Sequence, residues 1–155
     1  MAASLPTFPR VVLTIIEPIS LVAGFIGVVA DPEWFIAEQA PLTAPLVPSV
    51  HARVVALQLG NLYMLMAMVG LAVLSTTSEI KVVRNYVIAL WVADLGHIYA
   101  SYLAMGDAFF DVARWNAMAW GNVGMTLFLC LTRSGWLLGL FGPNNTTDKP
   151  AVKRN

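Results

Sequence analysis

The chain has 155 residues, of which 58% are hydrophobic and 12% are charged, and its formal net charge is zero. Because globular domains carry about 25% charged residues, this composition indicates an integral membrane protein, and the balanced charge gives no basic surface for nucleic acid. The single cysteine, Cys130, excludes an intramolecular disulfide, CxxC redox chemistry and a thiolate zinc site.

The first predicted span covers residues 11–30, which are mostly apolar and long enough to cross a bilayer. A cleaved signal peptide is the alternative, but the apolar run is long and lacks an A-x-A cleavage site. Pro18 is expected to free the carbonyl of Thr14, and Glu17 places a costly carboxyl among apolar residues. Glu17 therefore either satisfies the freed backbone or takes part in acid–base chemistry.

A short interfacial helix is predicted in the connection between the first two spans, residues 31–50. The stretch DPEWFIAEQ begins with Asp31 as an N-cap, a proline at the first helical position and an acid in the first turn. Prolines at positions 41, 45 and 48 prevent a longer helix. The helix either rests on the membrane surface, which we favour, or caps a cavity.

Gln58 and Asn61 lie one turn apart on one face of the second predicted span, residues 52–74. Amide side chains in a membrane helix can orient a water or a substrate oxygen. Each taken alone is more typical of hydrogen bonding between helices. We treat both as candidate substrate-binding residues, with helix packing as the alternative.

Asp94 and His97 lie near the middle of the third predicted span, residues 83–105, three residues apart and on one helical face. A charged side chain at mid-membrane costs roughly 2.5–3.5 kcal/mol on insertion scales, so such residues normally face a protein interior or a wet cavity. A buried carboxyl beside an imidazole suits general acid–base catalysis. The alternative is a structural ion pair that joins helices.

The fourth predicted span, residues 115–140, has an unusually polar and aromatic start. Asn116 and Asn122 are candidate substrate-binding residues, with interhelical hydrogen bonding as the alternative. Trp120, together with Trp91 of the third span, is expected to wall a pocket. Arg133, near the other end of the span, is expected to extend to the cytosolic interface.

The distribution of charge predicts the orientation in the membrane. With four spans, both termini and the loop at 75–84 share one side, which carries most of the basic residues: Arg10, Lys81, Arg84, Lys149, Lys153 and Arg154. By the positive-inside rule both termini are cytosolic, and we expect the endoplasmic reticulum as the location. Residues 143–155 are expected to form a disordered polar tail. The acceptor patterns at Asn144 and Asn145 would then stay unglycosylated.

Helical rise places the polar residues at comparable depths. Asp94 lies roughly 15 Å from the cytosolic start of its span and His97 about 5 Å deeper, while Asn61 and Asn122 lie about 10–14 Å in from the lumenal side. Glu17 lies roughly 9 Å from the cytosolic end. Four helices thus contribute polar groups to one slab of the membrane, a pattern typical of a site.

Three motifs resemble those of a family of small fungal four-span membrane proteins with a domain of unknown function, over residues 9–142. The motifs are a Glu-Pro in span one, an Asp-x-Gly-His in span three and a Trp-Asn followed by Trp-Gly-Asn in span four. In this chain they are Glu17-Pro18, Asp94 with Gly96 and His97, and Trp115-Asn116 with Trp120-Gly121-Asn122.

The resemblance implies a role in secondary metabolism. Some relatives belong to polyketide or terpenoid biosynthetic clusters, where small membrane proteins include epoxide-opening hydrolases and cyclases. The layout is also similar to the sterol-isomerase and sigma-2-receptor superfamily, whose four-helix bundles hold lipophilic ligands near buried acids. No residue roles carry over from that superfamily, since the motifs do not align position by position.

These observations together predict an all-α bundle of four transmembrane helices, one domain over residues 1–142, that opens an epoxide in a lipophilic polyketide or terpenoid. One carboxyl, Asp94 or Glu17, would protonate the epoxide oxygen. The other would act with His97 to deprotonate the attacking water or hydroxyl. Asn61 and Asn122 would hold that nucleophile.

In epoxide opening, Trp120 would also stabilise the positive charge that develops at the epoxide carbon. Two other functions remain open. The same proton-donating carboxyl, Asp94 or Glu17, would serve a double-bond isomerase or a terpene cyclase. A non-catalytic lipid- or sterol-binding protein is the alternative from another class. No cofactor and no metal is expected, and the expected partners are a lipophilic small molecule and membrane lipids, with a homodimer left open.

Overall fold

The computed structural model describes residues 5–39 and 47–143, and every secondary-structure element in these ranges is helical. The predicted all-α class is therefore confirmed. Residues 144–155 of the predicted tail, including Asn144 and Asn145, lie outside the described residues.

In residues 5–39 and 47–143, five helices follow one another along the chain. Helix α1 is Thr7–Ala30, α2 is Pro32–Ala37, α3 is Val50–Thr76 and α4 is Ile80–Met105. Two 3₁₀ turns, Gly106–Phe110 and Val112–Arg114, lead into α5, which consists of Ala117–Ala119, Trp120–Met125 and Thr126–Leu137. Helices α1, α3 and α4 each cover one predicted span, and α5 lies within the fourth, residues 115–140.

Three of the helices in the described residues are long and apolar enough to cross a membrane: Thr7–Ala30, Val50–Thr76 and Ile80–Phe110. Helix α5 is not among them, because polar residues such as Asn122 and Arg133 lower its hydropathy. These three helices support the expectation of a membrane protein.

The prediction of a short helix after the first span is confirmed by α2. The Asp31 carboxylate accepts a hydrogen bond of 2.9 Å from the backbone N–H of Trp34, as expected of an N-cap. Pro32 occupies the first helical position, where its missing N–H costs no hydrogen bond.

Two helices contain a π-helical segment next to a residue singled out above. In α1 the segment is Val12–Ile16, immediately before Glu17 and Pro18, so the proline that removes a backbone donor is accommodated by a wider turn. In α5 it is Trp120–Met125, which contains Asn122. Such segments often occur at functional sites because they shift the direction in which side chains point.

The helices form two hairpins, which we call the N-hairpin (α1, α2 and α3) and the C-hairpin (α4 and α5). One end of the molecule has a core shared by both hairpins, formed by Leu5, Val12, Leu13, Leu74, Val83, Val87, Leu129 and Trp136. At the other end are two smaller clusters, one around Val28, Phe35 and Ala56, against which Met118 of α5 packs, and one around Met105, Ala119 and Val123. The hairpins therefore share an extensive apolar core at one end, which we call the joined end, and have fewer apolar contacts toward the other, where they diverge.

The N-hairpin packs closely through glycine. A Cβ atom on Gly60 of α3 would lie 3.0 Å from the Val28 side chain of α1, so the absence of a side chain sets the distance between these helices. By contrast, a Cβ atom on Gly96 of α4 would meet no heavy atom within 4 Å.

We expect Gly60→Leu to destabilise the protein by about 1–3 kcal/mol, because the larger side chain must push α1 and α3 apart. Gly96→Leu is the matched control: it adds the same side chain to open space and improves helix propensity. Thermal unfolding in detergent, followed by tryptophan fluorescence, measures both. Equal stability of the two variants would contradict the packing described here.

Candidate functional site

Three buried charges meet between the hairpins at the joined end. Arg133 of α5 donates from Nη1 to Asp94 Oδ2 of α4 at 2.5 Å and from Nη2 to Glu17 Oε1 of α1 at 2.5 Å. Only 1% of the Arg133 surface is exposed, and both carboxyl side chains are buried. We call Glu17, Asp94 and Arg133 the ion triad.

The expectation that Arg133 extends to the cytosolic interface is therefore wrong. A guanidinium has a planar set of donors that can satisfy two carboxylates at once, and two buried carboxyls without a cation would be far more costly than a paired arrangement. The sequence held a signal for this pairing. Arg133 lies four residues from the end of α5, about 6 Å by helical rise, which is close to the depth estimated for Glu17.

The ion triad carries a net charge of −1 when both carboxyls are ionised, since two carboxylates face one guanidinium. Within the described part of the chain, Arg133 Nε is buried and has no hydrogen-bond partner. In that ionisation state the electrostatic field of the triad favours a positive charge on a group that lies nearby in the low-dielectric interior.

A cavity of about 330 Å³ lies between the diverging hairpins. Its wall is mostly apolar and includes Tyr63 of α3 and Met125 of α5. Ser20, His97 and Leu129 also line it, and each lies three or four residues, about one helical turn, from a member of the ion triad on the same helix. The cavity thus begins one turn beyond the triad, toward the end where the hairpins separate.

Asp94 and His97 do not form the pair that their spacing predicted. Three residues correspond to an angular offset of roughly 60° around a helix, enough to direct the two side chains to different neighbours. Asp94 bonds to Arg133, whereas His97 lines the cavity and makes no hydrogen bond to any described residue.

Helix α2 forms one wall of the cavity. Phe35 lines the cavity and is only 2% exposed, while its neighbour Trp34 is 47% exposed. The Phe35 ring also packs edge-on against Tyr63 at 6.5 Å. The arrangement differs from the favoured expectation that α2 only rests on the membrane surface, because Phe35 is buried against the bundle.

Two asparagines of the C-hairpin hold the segment that follows α2. Asn122 Nδ2 donates to Gln39 Oε1 at 2.9 Å. Asn116 Nδ2 donates to the Glu38 carbonyl at 3.0 Å and to Glu38 Oε2 at 2.8 Å. These bonds connect the two hairpins at the end away from the shared core.

Asn116 has a second structural task, since its Oδ1 accepts the backbone N–H of Ala119 at 2.8 Å and caps α5. The predicted span began at residue 115, and the helix begins at Ala117 because of this cap. Asn116 does not line the cavity, so its place in the structure differs from the substrate-binding position expected for it.

We expect Asn116→Ala to destabilise the protein by about 1–2 kcal/mol, since it removes a helix cap and the bonds to Glu38. Ser49→Ala is the matched control, because the Ser49 hydroxyl caps α3 through the N–H of Ala52 but makes no bond to the other hairpin. Chemical unfolding in detergent compares them. A smaller loss for Asn116→Ala than for Ser49→Ala would show that the bonds to Glu38 contribute nothing.

The remaining predicted site residues lie away from the cavity. Gln58 and Asn61 are exposed on α3. Trp120 is 53% exposed, with its ring 5.1 Å from that of Trp115. Trp91 donates from Nε1 to Ser134 Oγ at 2.9 Å, toward the joined end of the bundle. Of the nine predicted residues, the structure therefore brings two to the cavity wall, His97 and Asn122, and two to the ion triad, Glu17 and Asp94.

The sequence also left three contributors unassigned. Arg133 completes the ion triad, Phe35 closes one wall of the cavity, and Gln39 holds the amide of Asn122. Gln39 and Phe35 were placed only in a surface helix, because no local pattern tells which face of a short helix meets the bundle.

A family model described as a domain of unknown function, DUF7704, matches residues 2–143. The match covers nearly the whole chain, so the protein belongs to this family. No curated protein matches the chain, and neither does a solved structure.

Proposed function

We propose that this member of the DUF7704 family is an integral membrane enzyme of four spans that opens an epoxide in a lipophilic polyketide or terpenoid. In this proposal α5 is the fourth span, both termini are cytosolic and the membrane is that of the endoplasmic reticulum. The apolar wall of the cavity and its position between long apolar helices support a ligand that partitions into the bilayer.

One observation carries the proposal: His97 lines the cavity with its imidazole unpaired among the described residues, one helical turn from Asp94 of the ion triad. A neutral imidazole can take a proton, and in this proposal the ionised carboxylate of Asp94 stabilises the imidazolium that results.

The proposed reaction needs only one proton-transferring group. His97 takes a proton from the attacking oxygen as that oxygen forms its bond to an epoxide carbon. The C–O bond of the epoxide breaks, its electron pair goes to the epoxide oxygen, and this alkoxide takes the proton back from the imidazolium. Atoms and charge balance, and no cofactor takes part in the reaction.

The ion triad changes the roles first assigned to the carboxyls. Glu17 and Asp94 each accept a bond from Arg133 and lie one turn below the cavity wall. We therefore propose that they are positioning residues which act through their charge on His97, rather than direct acid and base. In this proposal His97 is the catalytic residue and Asn122 contacts the ligand.

A second function is favoured by the same ion triad. Because Arg133 already pairs with both acids, the triad is also what a purely structural link between hairpins would look like. In that case the cavity would bind a lipophilic molecule without changing it. Protein-dependent turnover separates the two functions.

The test uses purified protein in lipid nanodiscs with two lipophilic epoxide probes, trans-stilbene oxide and 10,11-epoxyfarnesol, and detects products by mass spectrometry. Protein-dependent formation of a diol or cyclic ether supports the enzyme. Binding of both probes without product over many hours would overturn it in favour of the binding protein.

A blocked cavity should abolish this activity. Ala23 lines the cavity, so Ala23→Trp is expected to lower probe turnover at least tenfold by filling the space a ligand needs. Ala93→Trp is the matched control, since Ala93 is exposed on α4 away from the cavity. Unchanged turnover in a folded Ala23→Trp variant would place the reaction elsewhere in the protein.

A further inference from the structure

The hydrogen bonds of Gln39 fix which way its amide points. Its Nε2 donates to the backbone carbonyl of Phe35 at 3.0 Å. Because a carbonyl oxygen can only accept, the nitrogen of Gln39 must face it, and the amide oxygen of Gln39 must face the other way. The orientation thus follows from the bonding network.

The orientation of Gln39 in turn fixes that of Asn122. The Gln39 amide oxygen can only accept, so the partner that lies 2.9 Å away must be the amide nitrogen of Asn122. The amide oxygen of Asn122 has no partner in the part of the chain that the structure describes. Since Asn122 lines the cavity, it brings an unpaired acceptor to that wall.

Other polar groups of the cavity also present acceptors. The Ser20 hydroxyl donates a hydrogen bond to the backbone carbonyl of Glu17 at 2.8 Å, so its oxygen lone pairs remain available as acceptors. One nitrogen of a neutral His97 accepts, whichever nitrogen carries the proton. Thr126, whose hydroxyl can turn either way, also lines the cavity. Acceptors of Asn122, Ser20 and His97 therefore line this wall, together with the hydroxyls of Thr126 and Tyr63, which can donate or accept.

We infer that the ligand of this cavity is a lipophilic alcohol, whose one hydroxyl proton is donated to the Asn122 amide oxygen when the ligand binds and to His97 when the hydroxyl reacts. The inference rests on the proposed function and deepens it: the substrate is a hydroxy-epoxide and its own hydroxyl is the nucleophile. His97 takes the hydroxyl proton as the oxygen bonds to the epoxide carbon, the epoxide C–O bond breaks, and the released alkoxide regains the proton. The product is a cyclic ether.

Gln39 acts in this scheme as a positioning residue. It does not line this cavity, and it holds Asn122 with the amide oxygen unpaired. Without Gln39 the Asn122 amide is free to turn and to offer its nitrogen instead, so the site would accept donors and acceptors alike.

The closing experiment measures binding rather than turnover, so it does not depend on the reaction. Farnesol and farnesyl methyl ether share one apolar frame, but only the alcohol donates a hydrogen bond. We expect the wild-type protein in nanodiscs to bind farnesol about tenfold more tightly than the ether, the size of one net hydrogen bond. Competition against a fluorescent lipid, or native mass spectrometry, gives the ratio.

Three variants locate the source of this preference. Asn122→Leu and Gln39→Leu are expected to reduce the ratio to below threefold, while Asn116→Ala keeps it, because Asn116 also joins the hairpins but does not line the cavity. Equal binding of alcohol and ether by the wild type would overturn the inference, and so would a full preference in Asn122→Leu.

Failure of this inference and failure of the proposed function give different results. A protein that opens 10,11-epoxyfarnesol but binds alcohol and ether equally is an epoxide-opening enzyme without alcohol selectivity. A protein that prefers the alcohol but never forms product retains the inferred ligand class and loses the enzymatic function.

Discussion

Replacement of His97 by glutamine is expected to lower turnover of a lipophilic epoxide by about 10²–10⁴-fold, the usual contribution of a general acid–base group. Glutamine keeps a similar size and can donate and accept hydrogen bonds, but it cannot carry the proton between the two oxygens. Ligand affinity should change only a few fold. The measurement is product formation in nanodiscs at saturating probe, alongside equilibrium binding.

The chain offers a matched control for this variant in its other histidine. His51 is exposed near the start of α3 and does not line the cavity beside the ion triad, so His51→Gln should keep wild-type turnover. Turnover of His97→Gln within threefold of the wild type would remove His97 from the chemistry. A loss of binding as large as the loss of turnover would assign His97 to ligand binding alone.

Replacement of Arg133 by methionine is expected to destabilise the protein by about 3–5 kcal/mol, the usual cost of removing one partner from a buried ion pair. The apolar part of the side chain is kept, but Glu17 and Asp94 then face each other without a cation. Because the triad joins the two hairpins, the variant should unfold in detergent at a lower midpoint temperature and in a less cooperative transition. Circular dichroism during heating measures both.

Two further variants test whether charge pairing is the cause. Arg114 forms an ion pair with Asp111, and its side chain is 81% exposed. Arg114→Met should therefore lower the free energy of unfolding by at most about 1 kcal/mol. Combining Arg133→Met with Glu17→Leu and Asp94→Leu should restore stability, since a buried ion cluster can be replaced by apolar residues of similar volume. If Arg133→Met costs no more than Arg114→Met, the triad is not what joins the hairpins.

The prediction and the structure agree most closely where the signal is local. The start of α2 follows from Asp31 and Pro32, since an N-cap and a first-turn proline act within one turn of the backbone. The effect of Pro18 on the backbone is also local, because the π-helical segment Val12–Ile16 lies directly before Glu17 and Pro18. These features need no knowledge of other helices.

The sequence predicted part of the candidate site, because it fixes the depth of each polar residue in the membrane but not the direction of its side chain. Helical rise fixes how far each polar residue lies along its helix, and this placed Glu17, Asp94, His97 and Asn122 at related levels. Depth does not fix the direction around the helix axis. Gln58 and Asn61 lie at suitable levels but are exposed, so their expected place at the site depended on a rotation that the sequence left open.

The sequence by itself determined that this chain is helical and apolar, that acids and a histidine interrupt its long helices, and that it belongs to the DUF7704 family. Only the tertiary structure decided which charges pair. The choice of Arg133 as the partner of both Glu17 and Asp94 depends on the approach of three helices that are far apart in the chain. The approach of α5 also gives Asp94 a partner in Arg133, while His97, about 60° away around α4, lines the cavity between the hairpins.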